Sequence, residues 1–405
     1  MRRRDLSKSL IACATGLAVS SKQAAAATPI PAERLPRSAE EIAAQVTPKD
    51  LGHAPGNVLR YGADPTGDDD SSAAFLDARK VATRTQGELL IPGGRYRSDA
   101  TLEWGFESLS VRAAGDVTIT FTKPGRCITI DGGEKGRGIY GVQIEGKIRV
   151  VGNAGTTDAW FVRACHHSKL QLRAGDCATA LRTQWCVLTH FEITCSVNEG
   201  AFTRLTPSAG IVADQRDRGE TTASCTFNVP TLEGIAGIGI DLQATLQCAF
   251  IGGSSEGNRV GVRQANANNV GNTLVGMDFE ANKTQDLVVT GGSNLTCINI
   301  NSLSNVRTAN IELEGGDNTT FVGGFLRWIE VHASASGTAL FATQVADARG
   351  VGIQGLGKAA TFGVQKVDGH RVVTMALSGS GDYAASAIGI ALAMAACKKL
   401  RGLTS

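Results

Sequence analysis

The 405-residue sequence predicts an all-β solenoid, a stack of short parallel strands wound into coils, and three observations predict it. Composition is the first. With 49 glycines, 10 prolines, 5% aromatic and 19% charged residues, the chain is turn-dense and lightly charged. Repetition is the second: FIGGSSEGN (250–258) and LVGMDFEAN (274–282) align without a gap at a spacing of 24, and CININSLSN (297–305) follows at 23. The third is what lies between the repeats, namely the short strand patterns GIGIDL (237–242), RVGVRQ (259–264), DLVV (286–289) and NIEL (310–313). Two or three short strands per repeat, joined by Gly and Asn turns, make one coil of a parallel β-helix whose apolar faces are buried by the coils on either side.

Upstream the pattern loosens. Leu232-Glu233-Gly234 still precedes Ser255-Glu256-Gly257 at a spacing of 23, but GVQIEGKIRVVG from Gly141, AWFVRA from Ala159, SKLQLRAG from Ser168 and FEITC from Phe191 recur at drifting intervals, some shorter and some longer than the later period. These coils are expected to carry loops of varying size.

The first 27 residues have a basic start, a short apolar run from about Leu10 to Val19 and small residues at 24–27, which reads as an export signal. The run is too short for a membrane span, which takes roughly 20 apolar residues. Arg3-Arg4-Asp5-Leu6-Ser7-Lys8 resembles the twin-arginine motif and Lys22 fits that route, so the twin-arginine translocation machinery is an expected partner; an ordinary secretory signal is the other reading. Its removal takes away five cations and one anion and moves the formal charge from +2 to −2, which gives no support to a nucleic-acid partner. The expected location is periplasmic or extracellular, with no stable membrane anchor.

Of ten cysteines, Cys13 leaves with the signal and nine remain. Several lie in apolar strand patterns, Cys195, Cys225, Cys248 and Cys297 among them, as small interior side chains would. A mixed set with one or two disulfides is the alternative. No Cys-x-x-Cys or paired-His spacing occurs, so neither metal nor cofactor is expected.

Residues 28–56 read as a linker or N-terminal cover with a short helix at 38–46, and 57–345 as the solenoid. Residues 346–405 form its C-terminal end, where the apolar run of AASAIGIALAMAACKKL suggests a terminal capping helix rather than an anchor or an oligomer contact. The solenoid opens with NVLRYGADPTGDDDSSAAFLDARK (57–80): a short strand at 57–61, a turn, then a helix capped by Asp70 or Ser71 with Phe75, Ala78 and Val81 at helical spacing. The aspartates supply acceptors for the turn and the helix start.

Asn57, Val58, Tyr61, Gly62, Ala63, Gly67, Asp70, Ser71, Ser72, Ala73, Ala74 and Phe75, followed by Leu89, Ile91, Pro92, Gly94 and Tyr96, resemble the opening motif of the pectate-lyase-like superfamily, in particular its rhamnogalacturonase/epimerase-like group. The resemblance covers about a tenth of the chain. It implies a right-handed parallel β-helix with an N-terminal capping helix, a fold shared by many polysaccharide depolymerases, and hence a polysaccharide partner. The set of Asn-Thr-Asp, Asp-Asp, Gly-His-Gly and Arg-Ile-Lys motifs of polygalacturonase-type hydrolases is missing, since Asn272-Thr273-Leu274 lacks the acid and the only adjacent aspartates lie in the opening motif, and the calcium-and-arginine pattern of pectate lyases is not legible.

Glycoside hydrolysis needs two carboxylates, about 5 to 5.5 Å apart for retention and ~6.5 to 9.5 Å for inversion. Alternation puts Asp278 and Glu280 on one strand face, and Glu233, Glu256 and Glu280 recur on successive coils, where repulsion would raise a carboxyl toward a general acid. Asp278, Glu280 and Glu256 are therefore the catalytic candidates. The competing reading is turn chemistry, with Asn258, Asn282 and Asn305 as an asparagine ladder and the glutamates solvated. ADQRDRGE offers Asp214, Arg216 and Asp217 in a long loop as substrate contacts, or simply a solvated loop. His166, His167 and His190 are candidate bases or ligands; Trp160, Trp185 and Trp328 could stack on sugars or fill the interior. No Lys or Arg base is evident on a repeat strand, so hydrolysis is expected ahead of β-elimination, and a non-catalytic carbohydrate-binding or adhesion solenoid is the rival class.

Overall fold

A computed structural model describes residues 34–133, 137–196, 207–215, 219–332, 334–335, 338–341, 344–345, 360–367 and 370–377. The chain divides between Arg34 and Leu35, and every described strand belongs to the second part. The expected terminal helix and the apolar run at its end lie outside the described residues.

The protein is a right-handed parallel β-helix. Successive coils contribute to an 18-stranded sheet, a ten-stranded sheet and a ladder of two-residue strands and single bridges, termed the long sheet, the second sheet and the third ladder. One coil shows the pattern: Ile238–Leu242 in the second sheet, Thr245–Leu246 in the third ladder, then Ala249–Ile251 and Ser254–Glu256 in the long sheet. Pairing is parallel from coil to coil, with register shifts in some early coils and an antiparallel hairpin of Ala360–Val367 with His370–Leu377 in the long sheet, and Phe227, Phe250, Leu274, Cys297 and Phe321 share one inward rung. Phe191, Phe227 and Phe250 stack with ring centroids 4.7 and 4.5 Å apart, close to the ~4.8 Å strand spacing. All eight described cysteines are buried, as small interior side chains.

The helix at Ser72–Thr85 covers the first coil with Phe75, Ala78 and Val81 inward. Asp70 accepts from the Ser72 N–H at 3.0 Å, while the Ser71 hydroxyl turns back to accept from Asp64 N–H at 2.9 Å. The expected strand at 57–61 is instead a 3-10 turn, Val58–Tyr61, because the Asn57 side chain accepts from Leu59 N–H and starts a helical turn. Arg60 from this turn pairs with the buried Glu41 carboxylate at 2.5 Å, to which Tyr61 also donates at 2.9 Å.

The turn asparagines carry backbone, not solvent. Asn258 accepts from Ile235 N–H at 2.8 Å, and Asn282 accepts from Asn258 N–H at 3.0 Å. The third rung is Ser304, which accepts from Asn282 N–H at 2.9 Å, rather than the expected Asn305, which is exposed and bonds Arg327. A buried N–H without such a partner costs about 1–3 kcal/mol, so the ladder fixes the corner just beyond the glutamates.

Candidate functional site

From Gln143–Val151 to Asp278–Phe279, the strands of the long sheet send alternate residues outward, so the pairing aligns side chains from successive coils into rows. One outward row runs Arg149, Arg173, Thr194, Thr231, Ser254, Asp278. Two residues along, a second row runs Ser196, Glu233, Glu256, and Glu280 follows where Gly257 N–H donates to the Glu280 carbonyl at 2.9 Å. The surface thus passes from cationic in the early coils, through hydroxyls, to anionic in the later ones. Between Ile251 and Ser254 the strand breaks at Gly252 and Gly253, both at positive φ. A Cβ at Gly253 would stand 1.5 Å from the Val229 carbonyl oxygen, so the bend that sets Ser254–Glu256 requires glycine there.

Glu256 is the centre of the acidic group. Burial raises its carboxyl above the ordinary value, Glu233 and then Glu280 on the flanking rungs raise it further, and the Ser254 hydroxyl opposes the shift. Glu233 accepts from Ser196 Oγ at 2.7 Å. Asp278 carries a buried Oδ1 with no hydrogen-bond partner among the described residues. The strand Asp278–Phe279 ends just before Glu280; an extended continuation would put Asp278 and Glu280 ~6.6 Å apart and Glu256 ~8 Å diagonally from Asp278, both inside the inverting span of ~6.5–9.5 Å.

The substrate-contact candidates fall elsewhere. His166 lies on the third ladder, 5% exposed, with ring centroids 5.2 Å from both Tyr140 and Trp185; Tyr140 also stacks on His167 at 5.9 Å. Burial, and then His167, lower the His166 pKa. Its Nδ1 is buried without a partner among the described residues, and the ring contacts make this cluster a packed aromatic corner. Asp214 is on the second sheet and pairs with Arg182 at 3.1 Å, the same guanidinium that holds Asp158 at 2.9 Å. Arg216 and Asp217 lie outside the described residues. Trp160 is interior, donating to the Arg173 carbonyl at 3.0 Å, which settles its role as filling.

Arg149 and Arg173, paired on adjacent strands of the long sheet, correct the expectation that no Lys or Arg is evident on a repeat strand. They stand one period of the later repeats apart, in the patterns I-R-V and L-R-A, so alternation and period together could have found them. Beside them a cavity of about 110 Å³ opens at the bend of the long sheet, lined by Gly146, Lys147, Gln171, Arg173, Glu192 and Thr194.

No protein-family model and no curated protein sequence matches the chain. Solved structures do. Among them are the A-module of the mannuronan C-5 epimerase AlgE4 from Azotobacter vinelandii (14% identity, 74% of this chain and 99% of that one, TM-score 0.39) and the surface adhesin PfbA of Streptococcus pneumoniae (10%, 80% and 98%, 0.43). The tailspike of Acinetobacter baumannii phage AM24 matches at 15% identity over 73% of this chain and 55% of that one, with a TM-score of 0.45. The likeness concerns architecture alone.

Proposed function

We propose that the chain is an exported polysaccharide-active β-helix that binds its polymer along the long sheet and cleaves glycosidic bonds with the carboxylates of Asp278, Glu280 and Glu256. The observation that carries this reading is Glu256, whose carboxyl is pushed up by burial and by the glutamates above and below it, on the same face as Asp278. In an inverting displacement, protonated Glu256 gives its proton to the leaving glycosidic oxygen, while Asp278 takes one from the attacking water. Glu280 holds the Glu256 proton in place electrostatically. The product is one new reducing end per bond cleaved, with no cofactor consumed.

A second reading, β-elimination, is favoured by Arg149 and Arg173, two guanidiniums on one row that would hold a uronate and lower the barrier to proton loss from C5. A third, binding without chemistry, is favoured by the hydrogen bond that Glu233 already makes to Ser196. Incubation with a panel of acidic and neutral polysaccharides separates the three. Reducing ends without ultraviolet absorbance are the expected result; added absorbance from unsaturated ends selects the lyase, and retained binding with neither product selects the adhesion role.

A further inference from the structure

On the outer face of the second sheet, the position that is filled by Asp241 in one coil is filled by Arg263 in the next, then Val288, Glu312 and Glu330. Asp241 is answered across the strand gap by Arg263, bidentate at 2.9 and 2.7 Å. Two residues along and earlier in the sheet, Asp131 is answered by Arg163 in the same way. The last two rungs break this rule: Glu312 faces Glu330 directly, and like charges opposite one another on adjacent strands repel. Among the described residues the ion-pair partner of both is His332, with Nε2 3.2 Å from Glu312 Oε1 and 4.0 Å from Glu330 Oε1.

We infer that Glu312, Glu330 and His332 bind a divalent transition-metal ion such as zinc. Ile311, Leu313, Ile329 and Val331 point inward, so alternation fixes both glutamates outward. His332 N–H donates to the Leu313 carbonyl at 2.9 Å, which extends the ladder and sets the imidazole on the same side as Glu330. From the preceding coil, Gln285 Nε2 donates to Glu312 Oε2 at 2.9 Å and turns Oε1 toward the other two donors, the outer hydrogen bond that metal-binding carboxylates characteristically have. One donor atom from each of the three residues lies within 4.8 Å of the others. Two donors ~2.1 Å from a tetrahedral ion stand about 3.4 Å apart, so the 3.2 Å contact of His332 with Glu312 fits and the 4.0 Å contact with Glu330 has to close on binding. One imidazole with two carboxylates suits zinc or manganese, whereas calcium and magnesium prefer oxygen alone. Three protein ligands leave a fourth position for water or substrate oxygen.

The test is titration of chelator-stripped full-length protein with zinc chloride against a chromophoric competitor. One zinc per chain is expected, with calcium far weaker. His332→Gln and Glu330→Gln should each weaken zinc at least tenfold, and Gln285→Leu, which removes only the orienting bond, by about tenfold. Thermal unfolding of each apo variant separates lost binding from lost folding, and His332→Gln, a surface change, decides the matter should Glu312→Gln not fold. Failure to bind zinc, zinc affinity unchanged in His332→Gln, or a thiolate charge-transfer band on cobalt substitution would each overturn the assignment.

Discussion

Asp64 sits in an acidic run of the sequence and Glu256 in an acidic row built across coils, and the protein drives their carboxyls in opposite directions. Asp64 accepts the backbone N–H groups of Thr66, Asp68 and Asp69 at 2.8 to 2.9 Å and the Thr66 hydroxyl as well. These bonds, that from Asp69 foremost, hold its pKa down to about 2. Glu256 lies on a strand whose N–H groups are spent on neighbouring coils, so burial first, and then the carboxylates of Glu233 and Glu280, raise its pKa. A turn consumes acidity; a stack of strands concentrates it. Clustering in the sequence therefore says nothing about reactivity until the destination of the surrounding N–H groups is known.

The largest test of this contrast is kinetic. Glu256→Gln and Asp278→Asn should each lower the rate of reducing-end release by about 10²–10⁴-fold, the usual worth of a positioned acid or base. Asp64→Asn should leave that rate unchanged. Equal losses in all three would erase the distinction.

Next in size is the corner that holds the acidic row. Asn258→Ala strands the Ile235 N–H and should destabilise the chain by about 1–3 kcal/mol in denaturant titration. Unchanged stability would mean that the ladder does not set the position of Glu256.

Subtler still is the sign of the pH dependence. Asp64 has a depressed carboxyl, so its contribution is present above its ordinary value of 3.8 and lost as pH falls toward about 2; the gap in Tm between the protein and Asp64→Asn should close over that window. Glu256 has a raised carboxyl, so its contribution is present below the ordinary 4.5 and lost as pH rises through the shifted value. The protein should therefore lose Tm relative to Glu256→Gln on going up in pH. Slopes of the same sign would break the comparison.

The smallest effect is screening. Between ~0.1 M and ~1 M salt the Debye length shrinks from about 10 to about 3 Å, so the alkaline limb of the pH–rate profile, set by Glu256, should move to lower pH. An unmoved limb would assign the shift to burial alone.

Much of the fold was legible because a solenoid writes its geometry as a period: the repeat spacings became strand registers, as in Phe250 with Leu274 and Leu274 with Cys297. Asn305 was misplaced because the last aligned repeat is one residue out of step at its corner, and Ser304 carries the bond instead. The strand expected at 57–61 failed for a local reason, an asparagine cap that outweighs the β-branched pattern. The acidic row was legible because its members share a period. His166 and Trp185 do meet, but in a corner of the third ladder that no sequence spacing distinguishes from an open face. Glu312 and Glu330 were invisible for the opposite reason: the coil that separates them is shorter than the regular period, and only pairing brings them face to face.

The eight buried thiols have a consequence for the lifetime of the protein. Burial leads the upward push on Cys127, Cys165 and Cys297, so they stay protonated and unreactive while the chain is folded. On unfolding, each reverts to an ordinary thiol, and in an oxidising solution it is open to wrong pairings. Where such pairing outruns refolding, survival in that medium is governed by the height of the unfolding barrier rather than by the depth of the native well.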